Sequence, residues 1–315
     1  MTIILSLVTG GYALQISDRR LTQEKKAGLY DVWDPASNKS VILLGRDGVV
    51  SMGYSGPAFI GRATTDGWIA QVLTGIDLGA NRERPDFTYH HGSGVPDRVL
   101  HAHLGVVEDR LNKAITARQL DRTLALYGVG LRWNSLGKPA WPQMARITWD
   151  SGRYTMAMSK KRWGWESGQS YFFGASGWSE VEAQNALRRW LRTTDTRDKD
   201  QTAATFIDVL RSLPSDDTTV SKDCLVTTIQ RESPHVHVRY EPYGIAGAEV
   251  ASSTRTFTVP VAFSPWVLTP TFLAAPQAIS GPGWECTSGV IDFRIEGTGS
   301  GGDFMIVSSQ PRRSR

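Results

Sequence analysis

The chain has 315 residues, 40% of them hydrophobic and 21% charged, which is enough apolar content for one or two buried cores and too much for a disordered tail. The formal net charge is +4, and Arg312, Arg313 and Arg315 in the last four residues supply three of those charges, so the balanced remainder gives little support to nucleic-acid binding. No stretch approaches the roughly 20 apolar residues of a membrane span, and the two cysteines, Cys224 and Cys286, are too few for a disulfide framework or a four-thiolate zinc site.

The apolar start, Met1 to Val8, has no basic residue before it and argues against a secretory leader, so a cytoplasmic location is expected. Residues 2–17 are predicted to form a β-hairpin turning at Gly10-Gly11. A second strand pair is expected over 39–44 and 49–52, around Gly45-Arg46-Asp47-Gly48. Gly53-Tyr54-Ser55-Gly56-Pro57 follows as a tight turn, with Pro57 suited to open a helix running to Leu73. Residues 74–94 have loop composition, and the apolar period from Pro96 to Gln119 predicts a helix.

Short strands are then expected at 124–133, 145–150, 154–159 and 170–173, helices at 179–191 and 202–213, and a closing hairpin at 225–230 and 236–240. Strands in runs with helices in pairs suggest stacked sheets flanked by helices. After Gly244 the composition shifts to Thr, Ser, Val, Pro, Phe and Gly, with strands expected at 256–263, 267–273 and 290–296. The chain therefore divides into residues 1–244 and a β-rich extension, 245–315.

Thr2, Asp18 and Lys39 carry the chemistry. With Met1 removed, Thr2 would bear a free α-amine beside its hydroxyl, and an unperturbed α-amine has a pKa of about 8. That amine can accept the hydroxyl proton, directly or through water, as the oxygen attacks a carbonyl. A lysine ammonium nearby would lower the pKa of both groups, and a carboxylate would hold that lysine in place.

This constellation resembles the proteasome β-type subunits of the N-terminal nucleophile hydrolases. In that family a nucleophilic Thr opens the mature chain and an Asp-Arg pair ends the second strand. Asp18 follows Thr2 by sixteen positions, in Ile16-Ser17-Asp18-Arg19-Arg20, as the family's acid follows its threonine. Gly53 follows Lys39 by fourteen positions, the family's separation between its lysine and its oxyanion glycine. The segment between Asp18 and Lys39 is longer than usual, which leaves Lys25 and Lys26 as competitors; Lys39 is preferred for its strand start and its spacing to Gly53. The resemblance implies that the Gly53 N–H stabilises the oxyanion, a role worth about 3 kcal/mol of barrier.

Later motifs are also similar. Phe173-Gly174-Ala175-Ser176-Gly177 matches the family's Gly-Ser-Gly turn, with Ser176 as its serine. In Asp216-Asp217-Thr218-Thr219-Val220-Ser221, Ser221 matches the family's second serine; the family's Asp would fall on Thr218, and Asp217, one position earlier, is the candidate. The resemblance covers about residues 2–241.

What the resemblance implies is a four-layer α-β-β-α sandwich with a small C-terminal all-β extension. The implied activity is that of a threonine peptidase, hydrolysing a polypeptide through an acyl-enzyme on Thr2, without a metal or organic cofactor and with self-assembly into a ring. A small-molecule amidase or an inactive proteasome-like scaffold are the alternatives. Elsewhere, the paired histidines His90-His91, His101/His103 and His235/His237 have no acidic or thiol complement for a metal, and the Trp133–Trp165 tryptophans suit core packing and pocket walls.

Overall fold

A computed structural model describes residues 2–26, 29–34, 39–45, 47–61, 63–74, 88–91, 98–120, 123–133, 139–159, 170–175, 180–212, 220–231, 236–241 and 243, and in the C-terminal region 261–263, 266–269, 272–275, 284–286, 289–298 and 301–308. Twenty-one strands and four helices are found among these residues.

The N-terminal hairpin is as expected: β1 (Ile3–Val8) and β2 (Tyr12–Asp18) pair antiparallel from Val8↔Ala13 to Ile4↔Ser17. Thr9 closes its turn, its hydroxyl accepting the N–H groups of Gly11 and Tyr12, each at 3.1 Å. A second hairpin, β3 (Leu21–Lys26) and β4 (Leu29–Asp34), fills the long stretch before Lys39. After the buried Leu21 its strand LTQEKK is polar, so no period-2 apolar signal announces it. β5 (Ser40–Gly45) and β6 (Gly48–Ser55) follow as expected.

The helix expected at Pro57 begins later. Phe59–Ile60 (β7) and Ala63–Thr64 (β8) first make a two-rung hairpin around Gly61, at φ 61°, and α1 spans Thr65–Thr74. Beyond it lie β9 (Thr88–His91), within the expected loop, and α2 (Leu100–Thr116). The middle of the chain supplies β10 (Ala125–Trp133), β11 (Pro139–Asp150), β12 (Arg153–Met158) and β13 (Ser170–Ala175). Then come α3 (Glu180–Thr193), α4 (Lys199–Arg211), β14 (Cys224–Gln230) and β15 (Val236–Glu241). The C-terminal strands are β16 (Val261–Phe263), β17 (Trp266–Thr269), β18 (Phe272–Ala275), β19 (Trp284–Cys286), β20 (Gly289–Thr298) and β21 (Gly301–Ser308).

These strands form two large sheets. One has eight strands in the order β13-β1-β2-β14-β15-β21-β20-β19, the other nine in the order β12-β11-β10-β6-β5-β16-β17-β18-β9. Nearly all neighbours are antiparallel; β16 on β5 and β18 on β9 are the parallel pairs. Leu104, Val107 and Leu111 of α2 pack with Ile69 of α1 on Val41, Leu43, Val50 and Met52, while Phe206 and Leu210 of α4 pack on Leu5, Leu7, Leu14 and Ile16. Each of these strands alternates, sending one face to a helix and the other toward the second sheet.

The expected four-layer α-β-β-α sandwich is corrected by this arrangement. The described chain is mostly antiparallel sheet with few helices. The strands after residue 260 widen both sheets, to eight and nine strands. The 244/245 boundary itself falls outside the described residues. No helix among them is long and apolar enough to cross a membrane.

The α2 N-terminus is capped from outside the helix. Val99 offers no side-chain cap, and Asp47, in the β5–β6 turn, accepts the Leu100 N–H at 2.7 Å while pairing with Arg132. Removing a cap costs about 1 kcal/mol, up to about 2. Asp47→Ala should lower unfolding stability by that amount in urea titrations, and Asp47→Asn, which keeps an acceptor, should lose less.

His103 is buried in the α2 face, and neither ring nitrogen has a hydrogen-bond partner. Burial, with Arg98 adding to it and Asp47 opposing, pushes its pKa down to about 4 from 6.5. The folded protein therefore holds it neutral, whereas the unfolded chain takes up a proton near pH 6.5. Stability is complete above pH 6.5 and falls as pH drops toward 4, by about 3 kcal/mol in all from this group. Urea titrations from pH 7 to 4.5 should show the wild type losing about that much more stability than His103→Leu.

Candidate active site

The strands bring residues far apart in sequence to one carboxylate. Asp18, the last residue of β2, accepts the Ile3 N–H on Oδ1 at 2.9 Å, which fixes the main chain leaving Thr2. Lys39, immediately before β5 in the other sheet, donates to both carboxylate oxygens, at 3.0 and 2.9 Å. Oδ2 also accepts the backbone N–H groups of Arg20 and Ser221, each at 3.3 Å. Thr2 is 3% exposed, Lys39 1% and Asp18 0%.

An ion pair so completely removed from water survives only if its remaining hydrogen-bonding capacity is filled. The three backbone donors do this for Asp18. Of the sequence-level lysine candidates, Lys39 makes this contact; Lys25 pairs instead with Asp31 on the exposed β3–β4 hairpin, and Lys26 is likewise exposed.

Gly53 lies inside β6, opposite Ser40 of β5 and Tyr127 of β10. A Cβ there would stand 2.9 Å from Ile4 Cδ1 and 3.2 Å from Gln15 Oε1, so glycine lets β1 and β2 approach β6. The next residue, Tyr54, donates its N–H to Lys39 O at 3.0 Å. Because backbone groups alternate sides along a strand, the Gly53 N–H is aimed at β10 rather than toward Lys39. Gly56, at φ 128°, lies just past the strand end against Thr123 and Leu124.

Ser221 reaches the site through its main chain. Its hydroxyl turns to Asp223, donating to Oδ2 at 3.1 Å and accepting the Asp223 N–H at 3.0 Å. Asp223 Oδ1 in turn accepts the Tyr243 N–H at 2.8 Å. Ser176 and Asp217 lie outside the described residues; Ala175, just before Ser176, pairs with Ile3.

No protein-family model matches the chain, and no curated protein matches it.

Cys224 faces Asp18 in the β2–β14 register, yet burial pushes its thiol up to about 12, so it is protonated and a poor nucleophile at neutral pH. Among the described residues no group of three His, Cys, Asp or Glu side chains is placed to hold a metal. What the arrangement offers is a buried ammonium, held by a carboxylate, beside the start of the chain.

Sequence reasoning missed Asp223 and the buried amide of Gln15, which accepts from Ser51 Oγ at 2.9 Å. Gln15 had a signal, a polar residue inside the aliphatic strand YALQISD; Asp223 had none.

Removing one member of a buried pair costs about 3–5 kcal/mol, whereas replacing both by groups of similar shape costs much less. Lys39→Met should therefore be strongly destabilising, and Asp18→Asn combined with Lys39→Met should be more stable than Lys39→Met alone. Urea midpoints of the wild type, both single variants and the double variant measure this.

Proposed function

We propose that the protein is an N-terminal-threonine hydrolase acting on peptide or related amide bonds, in the manner of the proteasome β-type subunits it resembles. The observation that carries the reading is the single Asp18 carboxylate, which holds both the Ile3 N–H and the Lys39 ammonium. A Thr2 freed of Met1 would have its amine and hydroxyl next to this anchored main chain. The neutral amine takes the Thr2 Oγ proton as the oxygen bonds to the scissile carbonyl carbon, and the carbonyl π electrons move to its oxygen. Collapse of the tetrahedral species breaks the C–N bond, the leaving nitrogen takes the proton, and an ester on Thr2 remains. Water, deprotonated by the same amine, hydrolyses that ester.

The oxyanion needs a backbone donor outside the sheet ladder. In the family resembled that donor is the glycine matched by Gly53, whose N–H is here aimed toward β10. The reading puts the enzyme in the cytoplasm.

Thr2 is 3% exposed, and its α-amine is free to act as the base only once Met1 has left. Protein whose intact mass lacks Met1 should be acylated on Thr2 by a peptide β-lactone, with the adduct located by mass spectrometry. Thr2→Ser should retain part of the labelling and Thr2→Ala none, and protein still carrying Met1 should remain unlabelled. Undiminished labelling of Thr2→Ala would refute the proposal, and hydrolysis of small amides but not peptides would identify the substrate as a small molecule.

A further inference from the structure

Gln15 is 1% exposed in the middle of β2. A buried primary amide is costly unless its two donors and two lone pairs are all used. Here they are. Nε2 donates to Ser6 Oγ at 3.1 Å and to the Tyr127 carbonyl at 2.9 Å. Oε1 accepts from Ser51 Oγ at 2.9 Å and from Ser40 Oγ at 3.4 Å. The Tyr127 carbonyl can only accept, which fixes which end of the amide is nitrogen.

The partners lie on four strands. Ser6 is on β1, in the same sheet as Gln15, while Ser40, Ser51 and Tyr127 belong to β5, β6 and β10 of the other sheet. One side chain thus ties together the two sheets that carry the halves of the site. Asp18 is three residues along β2 from Gln15, Ser40 follows Lys39 directly, and β1 starts next to Thr2. The close approach at Gly53, where an added Cβ would crowd Gln15 Oε1, marks the same point of contact.

We infer that Gln15 is a positioning residue, setting the placement of Lys39 against Asp18 and Thr2 by locking β5 and β6 of one sheet to β1 and β2 of the other. It acts through strands and touches no substrate. Its catalytic consequence rests on the proposed N-terminal-threonine reading, whereas its effect on β5 and β6 does not.

Gln15→Met keeps the length and removes every hydrogen bond. Two measurements on the full chain test it. In the first, inactivation by a peptide β-lactone should show its limiting rate reduced about tenfold or more, with the half-saturating concentration unchanged. In the second, hydrogen exchange of the Tyr54 amide, which bonds to Lys39 O, should accelerate about tenfold or more while that of Val226 in β14 stays at the wild-type rate. A merely structural glutamine would speed both amides together, or neither, and leave the limiting rate intact; that result overturns the inference. If the wild type is not acylated at Thr2, the functional reading fails and the exchange measurement alone decides the positioning. Should Gln15→Met not fold, Ser40→Ala combined with Ser51→Ala removes both donors to Oε1 and should shift both readouts in the same direction, about threefold or more; no shift in that variant overturns the inference equally.

Discussion

The interaction on which the molecule turns is the burial of one carboxylate. An ionised group without water must be met by protein donors, and Asp18 is met by four residues from four parts of the chain: Ile3, Arg20, Lys39 and Ser221. The start of β1, the end of β2, the approach to β5 and the approach to β14 are therefore fixed relative to one another. Ser221 lies 203 positions from Asp18, so the last of these contacts requires β2 and β14, neighbours in the eight-stranded sheet, to be in register.

The same burial decides what the site is suited to. Charges interact more strongly away from water, so an ammonium here influences neighbouring groups far more than one on the surface. It also removes freedom: Lys39 is held on both carboxylate oxygens instead of sampling rotamers. Around it the structure spends polar side chains where aliphatic ones would be expected, with Ser6, Gln15, Ser40 and Ser51 all buried between strands. Asp223 extends the same logic outward, joining Ser221 to the main chain of Tyr243, whose ring lies 5.4 Å from the Arg211 guanidinium and 5.0 Å from the Lys222 ammonium.

Much of the local structure could be read from the residues. The aliphatic runs of β1, β2, β5 and β6, the Gly10-Gly11 turn and the period of α2 announce themselves, the strands as short apolar runs buried on both faces and the helix as an apolar face repeated every 3.6 residues. The β3–β4 hairpin has no such stripe and was invisible. Pro57 marked a turn, but whether a helix or the small β7–β8 hairpin came next depended on the left-handed Gly61. The architecture was least legible, since alternation identifies a strand and not its neighbour; nothing in Val261–Phe263 says that it lies parallel to β5. At the site, spacing singled out Asp18 and Lys39, which meet in the structure, whereas spacing alone could not tell on which side of β6 the Gly53 amide would lie.

The parallel seat of β16 on β5 has a consequence for biosynthesis. β5, which follows Lys39, and β15 each acquire a neighbour from the final quarter of the chain. While that part is still within the ribosome, both strands present unpaired backbone edges. The newborn polypeptide therefore passes through a stage at which the β5 and β15 edges are open to foreign strands, until β16 and β21 pair with them.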